Sequence, residues 1–534
     1  MSRSAHVDTF AHDNLPPKEQ WPEFKFDLPE LDYPERMNCA ALLLDEAVRA
    51  GHGERIAIRA PDGECTYLQL QAQANRLANL LVREMGLKSG NRVLLRGPNN
   101  PMMAAAWMAV FKAGGICVGT MPLLRAKELT EIVNKAEITH ALCDKRLDAE
   151  LKLALPACPS LKSIRYWYDD ATDALIQKQS IEFKNVDTAA EDVAVIAFTS
   201  GTTGKPKGTM HFHRDVIAMC DCFPRSCLKP GRDDIFIGSP PLAFTFGLGG
   251  LLCFPLRFGA STALVEKFTP DSMLEAIQKF RATILFTAPT MYRALAGIWK
   301  NYDLSSLKKC VSAGEALPDA TRRLFREASG IEIIDGIGAT EMIHIFISHA
   351  PEHVKYGATG HAIPGYTATV LDENGERCAP GQIGRLAVKG PTGCRYLADE
   401  RQKNYVIDGW NVTGDAYVMD MDGYFHYQAR TDDMIISAGY NIAGPEVEGS
   451  LLAHPAVAEC GVIGQADEER GSIVKAFVVL KKEFPATEQM KKELQAHVKG
   501  SIAPYKYPRE IEFVAALPRT ETGKLQRFKL RTSP

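Results

Sequence analysis

The stretch Thr199-Ser-Gly-Thr-Thr-Gly-Lys-Pro-Lys-Gly208 decides how the rest of this chain is read. Gly201, Gly204 and Gly208 let the backbone come close to an anion and turn its N–H groups towards it. The hydroxyls of Thr199, Ser200, Thr202 and Thr203 add donors, and Lys205 and Lys207 add positive charge. Before it, the apolar run from Val193 to Phe198 predicts a buried strand, the usual launching point for a phosphate loop. The pattern is not a Walker A loop. Thr199 stands where that loop needs its first Gly, and Pro206 where the magnesium-binding Ser or Thr would follow the Lys. A P-loop kinase or GTPase is therefore excluded, while a loop surrounding a polyphosphate remains.

Outward from this loop, short β-rich runs alternate with helical patterns. Arg92-Val-Leu-Leu, Ile116-Cys-Val, Ala194-Val-Ile-Ala-Phe, Asp234-Ile-Phe-Ile, Thr283-Ile-Leu-Phe and Glu332-Ile-Ile predict strands. A helix is expected from Pro270 to Phe280, with Asp271 helping to cap its start. This alternation predicts an α/β fold with substantial parallel sheet. After Trp410 the character changes to alternating strands, and the charged break Arg430-Thr-Asp-Asp-Met precedes roughly a hundred residues of α+β pattern.

Further motifs follow in order. They are Ser312-Ala-Gly-Glu-Ala-Leu-Pro318, Asp335-Gly-Ile-Gly-Ala-Thr-Glu341, Gly409-Trp-Asn-Val-Thr-Gly-Asp415 and Pro518-Arg-Thr-Glu-Thr-Gly-Lys524. Taken singly, each reads as an ordinary turn or helix start. Together with the loop at 199–208, the series resembles the adenylate-forming superfamily of acyl-CoA ligases, luciferases and peptide-synthetase adenylation domains.

The resemblance implies a large N-terminal domain, residues 1–431, built of β-sheets and helices. A small mobile α+β domain, residues 432–534, would follow, with the hinge at Asp432. It implies ATP binding by Thr199, Ser200, Gly201, Thr202, Thr203, Gly204 and Lys205. Gly314, Glu315, Ala316, Asp335 and Gly336 would meet adenine, and Asp415 with Arg430 the ribose. Thr340 would contact the α-phosphate and Glu341 a magnesium ion, whose preference for carboxylate and phosphate oxygens suits one protein carboxylate. Lys524 would reach both the substrate carboxylate and the α-phosphate. Ser437, Ala438 and Gly439 would line the approach of coenzyme A.

Composition agrees with a metabolic enzyme. A net charge of −3 offers no global attraction for nucleic acid or an anionic membrane. Thirteen cysteines without a Cys-x-x-Cys pair predict core thiols in a reducing compartment rather than metal ligands. The polar start of the chain lacks a signal-peptide pattern, and Pro255 and Arg257 interrupt its most membrane-like window, 246–265, so a cytoplasmic location is expected. A homodimer is compatible with these features.

The resemblance implies an acyl pocket formed by Phe244, Thr245 and Phe246, with Gly338, Ala339, His344 and Ile345. The run Gly338-Ala-Thr-Glu-Met-Ile-His-Ile-Phe346 resembles the benzoate-CoA ligase branch. Benzoate ligases of that branch tend to carry Ala-Tyr where this chain has Thr245-Phe246, which brings 2-aminobenzoate forward beside benzoate. The expected reaction joins an aromatic acid to coenzyme A at the expense of ATP. A short- or medium-chain fatty acid ligase, an enzyme loading a carrier protein and a nucleotide-binding pseudoenzyme remain as alternatives.

Overall fold

The computed structural model describes residues 3–200, 206–437, 440–467, 471–502, 504–519 and 525–531. Two large sheets dominate its first four hundred or so residues. In the six-stranded sheet the order is Ser163–Trp167, His140–Asp144, Arg92–Arg96, Ile116–Thr120, Val193–Ser200, Pro206–Phe212. Its first five strands are parallel, and the central Arg92–Arg96 and Ile116–Thr120 are buried along almost their whole length, as strands covered on both faces are. The last strand is antiparallel, pairing Ser200 with Pro206. Residues 201–205 therefore join the arms of a hairpin, whereas a Walker A loop joins a strand to a helix.

The nine-stranded sheet has a parallel centre made of Ile56–Ala60, Ser261–Ala263, Ile235–Gly238, Ile284–Thr287, Lys309–Ser312 and Ile333–Gly338. Antiparallel strands close both edges, Gly63–Thr66 on one and Ile345–Ser348 with His361–Ala362 on the other. Because the central strands run in one direction, their carboxyl ends open on one side, where α/β sheets bind ligands. There emerge the segments 239–246, 288, 313–318 and 339–344. All six expected strands are present, as is the helix Pro270–Phe280. Its cap is Thr269, whose hydroxyl accepts from the Ser272 N–H at 3.2 Å. Pro270 occupies the first helical position, which carries Asp271 one residue into the first turn, where it cannot act as the cap.

A five-stranded antiparallel sheet follows, containing Thr367–Leu371, Ile383–Lys389, Val406–Ile407, Trp410–Met419 and Phe425–Arg430. After the short turn Thr431–Asp433, the chain builds a separate layer on the strands Val457–Asp467, Gly471–Leu480 and Glu510–Phe513. The buried clusters from Ile435 onwards contain no residue from before that turn. All thirteen cysteines are unpaired, and Cys220, Cys222 and Cys227 are buried along one helical stretch. Among the described residues no group of side chains is arranged to hold a metal by itself, and no helix is long and apolar enough to cross a membrane.

Candidate active site

Parallel pairing places Ser312 directly beside Asp335, so the loop leaving one strand and the carboxylate on the next share one edge. Gly314 turns that loop at φ 90°, a region open to glycine and strained for other residues. Glu315 beside it is half-buried, while Gly314 and Ala316 are exposed. Burial pushes the Asp335 carboxyl up to about 7, against the opposing pull of Arg322 and the Gly336 N–H. Two unanticipated residues hold its backbone: His349 Nε2 accepts from the Asp335 N–H at 3.2 Å, and Ser348 Oγ donates to its carbonyl at 2.6 Å. Gly336 follows on the same strand with the Ile345 side chain packed against it.

Thr340 and Glu341 open a single 3₁₀ turn. Glu341 is buried, and its Oε1 accepts from Tyr396 Oη at 2.5 Å and from Lys207 Nζ at 3.4 Å. Lys207 also donates to Tyr396 Oη at 2.8 Å, which closes a triangle. Four residues further along the same strand, His211 Nε2 lies 2.8 Å from the Thr340 carbonyl. A carbonyl only accepts, so the His211 proton sits on Nε2. Burial holds the pKa of this imidazole down near 3, so it is neutral. Lys207 and His211 share one strand face, being an even number of residues apart. Together they tie the hairpin of the phosphate-loop candidate to the Thr340–Glu341 turn. Tyr396 and His211 were missed from the sequence, although the period-two spacing from Lys207 was a signal for His211.

The turn ends at Ile343 with φ 63° and ψ −35°, an outlier for a β-branched residue. It separates Glu341 on the phosphate side from His344 on the other. His344 is buried among Phe254 at 4.5 Å, Phe246 at 5.7 Å and Phe223 at 5.9 Å between ring centroids. Phe246 in turn meets Phe286 at 5.6 Å. Among the described residues neither ring nitrogen of His344 has a hydrogen-bond partner. Burial takes its pKa down to about 3; the Phe246 carbonyl opposes that shift without reaching hydrogen-bond geometry. Thr245 begins a helical stretch that continues through the π turn Gly249–Cys253, and Phe244 immediately precedes it. A Cβ on Gly249 would lie 2.4 Å from His344 Cδ2, so this helix reaches the imidazole only through a glycine.

The expected acyl-pocket set is thus gathered in part. Phe246 and His344 touch, and Gly338 pairs with Ile345 across the adjoining strands, beside Ala339. The Ile345 side chain packs on Gly336, and Phe244 and Thr245 are half-buried at the helix start. Asp415 and Arg430 are direct partners on antiparallel strands, with Arg430 Nη1 3.4 Å from Asp415 Oδ1. Burial raises the Asp415 pKa while Arg430 opposes the shift. Thr199 is half-buried at the end of its strand, and Ser437 is buried. Gly201, Thr202, Thr203, Gly204, Lys205, Ala438, Gly439 and Lys524 lie outside the described residues, as do the side chains of Ser200 and Asp432.

Residues 44–396 match the model of the AMP-binding enzyme family, and residues 446–524 that of the AMP-binding enzyme C-terminal domain. This chain belongs to the AMP-binding enzyme family. It is an AMP-forming acid–thiol ligase. The enzyme is 34% identical to a benzoate–CoA ligase of Thauera aromatica over 95% of its own length and 98% of that protein. An anthranilate CoA ligase solved with anthranoyl-AMP superposes with a TM-score of 0.90 at 33% identity, covering 95% of this chain and 98% of the other. A benzoate CoA ligase from Burkholderia xenovorans LB400 gives 0.85 at 32% identity, covering 93% and 100%.

Proposed function

We propose that this enzyme joins an aromatic carboxylic acid, 2-aminobenzoate or benzoate, to coenzyme A. The acid's carboxylate oxygen attacks the α-phosphorus of ATP, the bond to the bridging oxygen breaks, and pyrophosphate leaves with its electron pair. The product is an acyl-AMP. The thiol of coenzyme A then attacks the activated carbonyl, AMP departs, and the thiol proton passes to solvent.

The residues divide this work. Thr199 to Lys205 are assigned to the phosphates, Gly314–Ala316 with Asp335 and Gly336 to adenine, and Asp415 with Arg430 to the ribose. Thr340 is assigned to the α-phosphate. Lys524 supplies the cation that links carboxylate and α-phosphate in the first step. Charge spreads over phosphate oxygens there, so cations and N–H donors held in place beforehand stabilise it. Glu341 suits a hard cation, since its Oε1 is anchored by Tyr396 and Lys207 while Oε2 accepts no hydrogen bond among the described residues. A magnesium ion bound there would neutralise phosphate charge. Ser437, Ala438 and Gly439 are assigned to the thiol's path.

The observation that carries the aromatic reading is the His344 environment. Aromatic rings surround it, and its two buried nitrogens are unpaired. An imidazole that stays neutral down to about pH 3 can exchange a hydrogen bond with a ring substituent but cannot attract a second carboxylate as a cation would. The surrounding rings suit a flat aromatic acid. An ortho amino group that pairs with a His344 nitrogen relieves a buried polar group that costs roughly 1–3 kcal/mol unpaired, which benzoate and a straight-chain acid leave unrelieved. The benzoate and anthranilate specificities named for its relatives support the same reading.

The test is a panel of acids assayed with ATP and coenzyme A. We expect 2-aminobenzoate to be used at least as efficiently as benzoate, and both far better than hexanoate. Thr245→Ala is expected to shift the kcat/KM ratio towards benzoate. Hexanoate outcompeting both aromatic acids would overturn the aryl assignment. A missing Thr245 shift alone would remove only the contact proposed between the Thr245 hydroxyl and the ortho amino group.

A further inference from the structure

Arg293 projects from the helix Pro289–Ile298, beside the carboxyl ends of the central strands, into the layer that begins after residue 433. Its Nε donates to the Ala458 carbonyl at 3.2 Å, and its Nη2 to the carbonyls of Leu452 and Val457, both at 3.2 Å. Leu452 ends the helix Gly444–Leu452, whose last carbonyls lack intrahelical donors and form the negative end of its dipole. Val457 and Ala458 begin the next strand. Helix and strand share one packed cluster that fixes the spacing of the three carbonyls, so they converge on Arg293 only where that layer lies against its helix. A second contact crosses the same boundary. Arg519, in the loop leading to Lys524, lies 3.5 Å from Glu315 of the adenine-loop candidate, while its Nη2 is held at 2.7 Å by Glu459 of its own layer. At 3.5 Å between partly buried side chains, that single contact is the weaker tie. Three hydrogen bonds from one guanidinium, half withdrawn from water, are the stronger tie.

We propose that Arg293 is a positioning residue that holds the C-terminal layer in the placement that forms acyl-AMP, with Arg519 and Glu315 bringing the root of the Lys524 loop against the adenine loop. The proposal rests on the ligase reading and on the two steps requiring different placements of Lys524, which serves the first and obstructs the thiol in the second. Releasing the layer for the second step breaks all three carbonyl contacts at once. Arg293 touches no reacting atom, and its effect is confined to the balance between placements.

The test uses the full-length enzyme and separates the half-reactions. Acyl-AMP formation is followed in a single turnover with ATP and the preferred acid of the panel, and thioester formation from supplied acyl-AMP and coenzyme A. For Arg293→Ala we expect acyl-AMP formation to fall about tenfold, the scale of one charge-assisted hydrogen bond, with thioester formation unchanged or faster. Arg293→Lys, which keeps the charge and stem but loses the planar fork, should fall between the two. Parallel losses in both half-reactions at unchanged Tm, or no loss in the first, would overturn the proposal. If Arg293→Ala lowers Tm markedly, the lysine variant decides on the same criteria. An unmodified enzyme that makes acyl-AMP from no aromatic acid on the panel defeats the aromatic-acid reading itself, independently of Arg293.

Discussion

A charge on Asp335 is unfavourable, because its carboxyl is buried within the strand Ile333–Gly338 and Arg322 with the Gly336 N–H only partly offsets the loss of water. Its pKa rises from the ordinary 3.8 to about 7 on folding. Between those values the folded chain holds a proton that the unfolded chain has released, so stability falls as pH rises. The contribution is complete below the unfolded value and gone once pH passes the folded one. Asp335→Asn keeps a carbonyl acceptor but cannot titrate. Without nucleotide, its Tm should change less than the parent's between about pH 5 and about pH 8, and should gain on the parent at the higher pH. Identical pH slopes for the two proteins would count against a buried, protonated Asp335. Single residues also mark where reading along the chain stops. Asp335 belongs to a recognisable run, whereas Ser348 and His349, which hold it, lie beyond that run at the end of the returning strand and just past it.

The helical stretch that starts at Thr245 shows what an element adds to a list of pocket residues. Its π turn at Gly249–Cys253 brings a glycine against His344, and Phe223, Phe246 and Phe254 pack around the ring. Gly249→Ala would press a methyl group into it, an overpacking that costs roughly 1–3 kcal/mol unless the ring moves into the pocket. We expect KM for the aromatic acid to rise about tenfold while KM for ATP stays within error. An equal rise in both constants would mean that the substitution disturbs the site as a whole. Strand and helix positions were legible because the apolar periods of two and 3.6 are local properties of the chain. The hairpin at the phosphate loop was not legible, because a buried strand leads equally well into a helix or into a returning strand.

Over the whole molecule, the turn Thr431–Asp433 separates the five-stranded sheet from the final layer, and the buried core divides at the same point. We propose Asp432 as the pivot about which that layer changes placement between the two steps. A proline there restricts φ and removes an N–H. Asp432→Pro should therefore trap one placement, and single-turnover measurements should show one half-reaction lost far more than the other. Equal losses would place the pivot elsewhere. Because Arg293 acts at the interface and Asp432 at the joint, the two substitutions can succeed or fail separately.

By itself the sequence determined the α/β class, the family and the ordered runs that carry the nucleotide-site candidates. Those runs are contiguous because they work through loop backbone and neighbouring side chains, so their chemistry is written along a few residues. Tertiary structure alone decided what surrounds them. Lys207, Glu341 and Tyr396 form one triangle although 134 and 189 positions separate Lys207 from its two partners. His344 has its unpaired nitrogens among three rings contributed by two other segments, and Arg293 finds its acceptors more than 150 residues away. Such contacts depend on which strands lie side by side and which faces they turn to each other. Local propensity carries no record of that choice, because it is set by burying the whole chain at once.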